Sequence, residues 1–231
     1  MFELILEGDG SKKLTFEVQK IINAGRSARD KDTVLKHVEE IRKAGIAIPE
    51  RFKFPVFRPK TADRITTSDR FWVLPDSKTS GEVEYVLLLD NGNVYVAVGS
   101  DHTDRELEKY NIRMAKQIYC NAMSPAVWRY EDVKEHWDDI IMRSWVKKDG
   151  QRRLYQEGKL EKLIRPEKLI EEVKSRVTGD LNGMVIFSGT LPTTSGELCY
   201  SPRFEIELVD EHAGRAIRYA YTAEPITWFK R

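Results

Sequence analysis

Residues 81–101, GEVEYVLLLDNGNVYVAVGSD, constrain the fold more than any other stretch of the chain. Two runs rich in β-branched, aromatic and aliphatic residues flank Asn91-Gly92, a pair suited to the positive φ angles of a tight hairpin turn. Three carboxylates sit at the open end of this predicted hairpin: Glu82, Glu84 and Asp101. Alternation puts residues i and i+2 of a strand on one face, roughly 6.5–7 Å apart, so Glu82 and Glu84 share a face. Folding back about Asn91-Gly92 brings Asp101 towards them. If that face is interior, a cation is the natural counter-charge; if it faces water, the same spacing is an ordinary solvated strand. An all-oxygen set suits Mg²⁺, Mn²⁺ or Ca²⁺ rather than zinc. His102 points to the opposite side if the strand continues, and reads as a neighbour rather than a ligand.

The rest of the chain supplies more strands than helices. FELILE (2–7) and LTFEV (14–18) around Gly8-Asp9-Gly10 predict a first hairpin. An amphipathic helix is expected over 30–44, capped by Asp30 or Asp32 and stopped by Gly45. Pro49, Pro55 and Pro59 predict a packed but irregular connector. Strands follow at 71–74, 144–158 about an exposed Asp-Gly turn, 184–190, 204–210 and 216–224. Helical composition returns at 105–118, 130–141 and 166–176. These elements predict a β-rich α+β protein, with a hairpin and helix segment over 1–60 and a larger β-rich domain over 61–231.

Composition narrows the partners. The 231 residues carry 38 basic and 37 acidic side chains, for a net charge of +1, without a long basic run. Nucleic-acid binding needs clustered positive charge, so neither a nucleic acid nor a membrane surface is expected. No stretch of about 18 apolar residues is present, and the opening MFELILEGDGSKK does not read as a secretory signal. Cys120 and Cys199 match no metal-ligand spacing and read as reduced thiols of a cytoplasmic protein.

Three further constellations bear on chemistry. His37-x-x-Glu40 lies on the predicted helix at a spacing that shares a face, so Glu40 can orient the imidazole as a general base; a solvated helix face is the plain alternative. Lys116 sits in the apolar setting MAKQIYC, either partly desolvated beside substrate or with its stem packed and its head in water. Ser188-Gly189-Thr190 ends a strand, where backbone N–H and hydroxyl donors can face an anion or simply form a turn.

The order of these signals resembles the fumarylacetoacetate-hydrolase family. That family has an E-x-E strand, then N-D-x-x-x-R-D-x-Q, a lysine segment and G-D-x-I-x-T-G-T-P; the counterparts here are GEVEYVLL, SDHTDRELE, AKQIYCNAMSP and GMVIFSGTLP. AGRSARDKDTVLKHVEEI is similar to the family's G-R-N-Y-x-x-H-x-x-E lid segment, and FPVFRPK to its P-x-F-x-K-P step. The likeness is collinear over roughly residues 22–210, and is strongest to a branch known only as a domain of unknown function. It implies a mixed β-roll, usually a homodimer, acting on a small molecule. It also implies a divalent cation, Mg²⁺ or Mn²⁺ with Ca²⁺ as an option, on Glu82, Glu84 and Asp101, with His37, Glu40 and Lys116 as catalytic residues. Arg26, Arg105, Glu108 and Thr190 fall on substrate-side positions. Ser100, Glu108, Ser27-Ala28 and Met184 depart from the pattern, and the negative Glu108 argues against copying the family's usual dicarboxylate specificity. The implied activity is hydrolysis, decarboxylation or tautomerisation of a 1,3-dicarbonyl compound or 2-oxo acid through an enolate. The alternative is the same fold kept as a non-catalytic binding or structural module.

Overall fold

A computed structural model describes residues 1–8, 12–30 and 54–229. The helix expected over 30–44, and with it His37 and Glu40, lies outside the described residues apart from Asp30. Strands β1 (Phe2–Leu6), β2 (Lys12–Phe16), β3 (Lys20–Gly25), β4 (Val56–Lys60), β5 (Ile65–Thr66), β6 (Arg70–Val73) and β7 (Thr79–Ser80) come first. They are followed by β8 (Val83–Asp90), β9 (Asn93–Ser100), β10 (Thr103–Asp104) and the helices α1 (Arg105–Tyr110) and α2 (Ile112–Ile118). The second half holds β11 (Asn121–Met123), β12 (Ala126–Arg129), β13 (Ile141–Lys148), β14 (Gln151–Lys159), α3 (Pro166–Lys174), β15 (Met184–Phe187), β16 (Arg203–Asp210) and β17 (Arg215–Pro225).

The larger sheet runs β2-β1-β12-β9-β8-β15-β3-β4, with β11 beside β9 and β5 beside β11; the second runs β14-β13-β16-β17-β6. The larger sheet is mixed, since β1 pairs with β12 and β3 with β15 in parallel. The predicted central hairpin forms with Asp90 opposite Asn93, and Asn91 (φ 47°) and Gly92 (φ 80°) both adopt the left-handed angles its turn requires. Asp149 (φ 53°) and Gly150 (φ 77°) do the same between β13 and β14.

β8 is covered on both faces, which is why its sequence is a nearly unbroken apolar run. Tyr85, Leu87 and Leu89 pack in one cluster with Phe204, Ile206, Leu208 and Tyr221 of the second sheet. Val86 and Leu88 face the other way, against Leu4, Phe16, Ile21 and Phe187. A fully buried Leu or Val side chain contributes about 1.5–3 kcal/mol, so the strand's register is strongly held. The same pleat carries Glu82 and Glu84 onto the side of Val86 and Leu88.

Several expectations are corrected. The proline-rich connector contains β4, which pairs with β3 and includes Pro59; β4 ends the larger sheet, where a residue without an N–H is tolerated. The helix at 105–118 is two helices, broken at Asn111 (φ −154°, ψ 99°). Over 130–141 the chain forms two 3₁₀ segments, Tyr130–Asp132 and Lys134–Asp139, not an α-helix. β3 had no assigned strand signal. No helix among the described residues is long and apolar enough to cross a membrane.

Candidate metal centre

The open end of the β8–β9 hairpin forms the site. Val83 pairs with Ser100 and Glu84 with Gly99, and the Asp101 N–H donates to the Glu82 carbonyl at 3.1 Å. This register gathers one carboxylate oxygen each of Glu82, Glu84 and Asp101 within 4.8 Å of one another. Glu84 (1% exposed) and Asp101 (2%) are buried, while Glu82 is partly open. At that separation each pair of unit charges repels by roughly 3 kcal/mol at an effective dielectric constant near 20. The solvated-strand alternative is thereby removed, and something must offset the repulsion.

Two cations offset part of it. Lys116 Nζ lies 3.0 Å from Glu82 Oε2 and 2.8 Å from Asp101 Oδ2. Arg105 reaches Glu82 at 3.1 Å and Glu108 at 2.8 Å, with its Nε donating to Ser80 Oγ at 2.6 Å. Glu108 also stands 3.9 Å from Lys116. Among the described residues, Glu82, Asp101 and Glu108 share these two cations, and Glu84 has an ion contact with neither. Asp101 Oδ1 is buried and has no donor among the described residues. A hard divalent cation takes oxygen ligands of this kind, so the donor set fits one.

Ionisation follows the same charges. Burial opposes ionisation of Glu82, but Lys116 and then Arg105 outweigh it and hold the group down to about 2. Burial pushes the Glu84 carboxyl well above its usual range, and the neighbouring Asp101 and Glu82 add to it. Burial works against the charged form of Lys116, yet Asp101 and Glu82 raise its pKa.

Beside the carboxylates lies a cavity of about 360 Å³, lined by Glu82, Glu84, Asp101, Glu108, Lys116, Arg26, Arg58, Asn23 and Thr190 among others. Of the anticipated residues, Arg105 is buried against Glu82 and Glu108 and is not in this lining. Thr190 does line the cavity, but its hydroxyl donates to the Val83 carbonyl at 2.6 Å and accepts from Gln156 Nε2 at 2.7 Å. The anion met by the Ser188-Gly189-Thr190 turn is the protein's own Glu84, which accepts from the Gly189 N–H at 2.8 Å. Gly189 (φ 85°) is needed there, since a Cβ would collide with Ser27 Oγ.

A family model described as a protein of unknown function (DUF2848) matches residues 24–221. The chain belongs to the DUF2848 family. No curated protein matches it significantly in sequence. Among solved structures, this DUF2848 chain is similar to 5-carboxymethyl-2-hydroxymuconate delta-isomerase from Mycobacterium smegmatis. The TM-score is 0.65 at 17% identity, covering 96% of this chain and 93% of that one. A protein from Yersinia pestis CO92 assigned to the fumarylacetoacetate hydrolase family aligns at TM-score 0.63 and 15% identity, over 96% of this chain and 100% of that one. 2-keto-3-deoxy-D-arabinonate dehydratase complexed with magnesium and 2,5-dioxopentanoate aligns at 0.63 and 16%, over 95% and 78%. The fold of the DUF2848 chain is thus that of the fumarylacetoacetate-hydrolase superfamily.

The departures from the superfamily pattern have work to do in this DUF2848 protein. Ser100 Oγ accepts from the Glu82 N–H at 3.1 Å and bonds the Tyr221 hydroxyl at 2.8 Å. His102 Nδ1 reaches the same hydroxyl at 3.0 Å, on the side away from the carboxylates, and burial drives its pKa down to about 3. Ser27 Oγ donates to the Ser188 carbonyl, tying the β3 end to the turn that holds Glu84. Arg58, on β4, was missed by the residue-by-residue reading. FPVFRPK was singled out, but nothing local shows that an edge strand would bring its arginine to the cavity. Burial lowers the Arg58 pKa, partly offset by Asp101 and Glu108.

Proposed function

We propose that this protein is a metal-dependent hydrolase or lyase acting on a 2-oxo acid or 1,3-dicarbonyl compound. The observation that carries the reading is the cluster of Glu82, Glu84 and Asp101 with carboxylate oxygens within 4.8 Å, Glu84 and Asp101 buried. A divalent cation there, Mg²⁺ or Mn²⁺, would supply Lewis acidity towards substrate oxygens and align them. The magnesium complex of the structurally similar dehydratase supports that choice.

The chain's own groups take the remaining tasks. Lys116 holds its positive charge between Glu82 and Asp101, next to where negative charge would develop on an enolate. Arg58 and Arg26 place two further cations in the cavity, suited to a substrate carboxylate. Glu108 is paired with Arg105, which lessens its repulsion of that carboxylate. His37, oriented by Glu40, is the proposed base that takes a proton from water or from the carbon next to the carbonyl. The reading includes a homodimer in the cytoplasm, with mass determination in solution as its check.

Calorimetry tests the metal. Glu82→Ala and Asp101→Ala are each expected to weaken Mn²⁺ binding by more than about tenfold, since loss of a charged oxygen ligand should exceed the loss of a group that only orients one. Unchanged affinity in both would remove the metal from these carboxylates and favour the non-catalytic module. A screen of 2-oxo and 1,3-dioxo acids with Mg²⁺ or Mn²⁺ should then give a turnover that His37→Ala abolishes.

A further inference from the structure

A chain of buried amides leads from Lys60 to the cavity floor. Lys60, 6% exposed, donates from Nζ to Asn121 Oδ1 at 2.6 Å. Asn121 Nδ2 donates in turn to Asn23 Oδ1 at 2.9 Å. Both asparagines are buried, at 0% and 1% exposure. An ammonium only donates, so Asn121 must turn its oxygen to Lys60 and its nitrogen to Asn23. Asn23 must then give its oxygen to Asn121. The orientation of both amides is set by one charge. What remains is Asn23 Nδ2, shielded from bulk water and without an acceptor among the described residues.

Strand register shows where this donor sits. Asn23 lies opposite Phe187 on one side and Arg58 on the other. Phe187 lies opposite Val86, two residues along β8 from Glu84. Asn23, Arg58 and Glu84 therefore share one face of the sheet, the face that floors the cavity. An amide donor beside a guanidinium, with Arg26 also lining the space, is a pair of groups for an anionic oxygen.

We propose that Asn23 is a substrate-contacting, specificity-determining residue whose Nδ2 donates to the carboxylate of a 2-oxo acid, with Lys60 its positioning residue through Asn121. This rests on the oxo-acid reading above and adds to it which side chain recognises the substrate carboxylate. Arg58 supplies the charge and Asn23 the direction. A substrate with a hydrocarbon end in place of the carboxylate leaves Asn23 unsatisfied, and is rejected for that reason.

Pyruvate in the presence of Mg²⁺ is the probe. Asn23→Ala is expected to weaken pyruvate binding by about tenfold, roughly one lost hydrogen bond to a charged group. Its Mn²⁺ affinity should stay within about twofold of the wild type, because no carboxylate ligand is touched. Lys60→Met should weaken pyruvate binding in the same direction. The double variant should lose little beyond Asn23→Ala, a non-additivity that two unrelated packing defects would not produce. In the wild-type protein, the Asn23 side-chain amide resonance should move as pyruvate is added, a readout that needs no variant to fold. Unchanged pyruvate affinity in Asn23→Ala, or an amide resonance that stays put while pyruvate binds, overturns the assignment and leaves the metal reading intact. Mn²⁺ binding without any pyruvate binding overturns it equally. Failure of the wild type to bind Mn²⁺ at all takes both readings down.

Discussion

Glu84 is the residue on which the site's electrostatics turn. It is buried, faces two other carboxylates, and keeps one oxygen on the Gly189 N–H. Its raised pKa means that it holds a proton to higher pH than a free glutamate does. A divalent cation must displace that proton, so Mn²⁺ binding should release protons and weaken as pH falls. Calorimetry in two buffers of different ionisation enthalpy reads this directly; equal heats would count against it. Lys60 shows the opposite sign. Burial lowers its pKa from 10.5 to about 8, so between those values the unfolded chain binds more protons than the folded one. Stability then rises with pH across that window, by an amount of roughly 3 kcal/mol at most. Lys60→Met removes the titrating group. The unfolding free energy of the wild type should gain on that of the variant between pH 8 and 10.5, and a parallel pair of curves would refute the assignment.

At the scale of elements, the helix pair α1–α2 decides where Lys116 goes. Asp104 caps α1 by accepting from the Glu106 and Leu107 N–H groups. Asn111 ends α1 with its backbone N–H on the Leu107 carbonyl and starts α2 with its side chain accepting from Arg113 and Met114. One residue with extended φ and ψ thus turns the chain so that Arg105 and Lys116, on different helices, converge on Glu82. A continuous helix would set Arg105 and Lys116 apart along one axis. Asn111→Ala removes the cap of α2, at a cost of about 1 kcal/mol in stability. Mn²⁺ affinity should shift along with the thermal midpoint, since the loosened helix carries Lys116; a fall in midpoint alone would detach the break from the site.

Over the whole molecule, the central position of β8 makes the cluster tolerable. The strand lies inside the larger sheet between β9 and β15, with apolar clusters on both faces. The packing on its apolar part opposes the repulsion at its end, which would otherwise push the carboxylates out to water. Leu87, wholly buried in the larger cluster, tests that balance. Leu87→Ala should cost about 2–5 kcal/mol in unfolding free energy. Mn²⁺ affinity measured well below the melting temperature should stay near the wild-type value, because the register about Asn91-Gly92 survives. Loss of metal binding from a protein still folded would show that the site depends on β8 packing beyond its register.

How much of this was legible in the sequence follows from range. The central hairpin, the shared face of Glu82 and Glu84, and the approach of Asp101 depend on a period of two and on one turn, all within residues 81–101. Such relations are local, so the sequence by itself determined them. The strand β3, the edge strand β4 and the break at Asn111 were not legible, because a short apolar run, a proline and an asparagine each fit several conformations until neighbours choose among them. The contacts of Lys116 with Glu82 and Asp101, the arrival of Arg58 in the cavity and the Lys60–Asn121–Asn23 chain join segments far apart in sequence. No local pattern records those meetings. Only tertiary structure decided them, because burial makes each charge and each amide find its partner across the fold rather than along the chain.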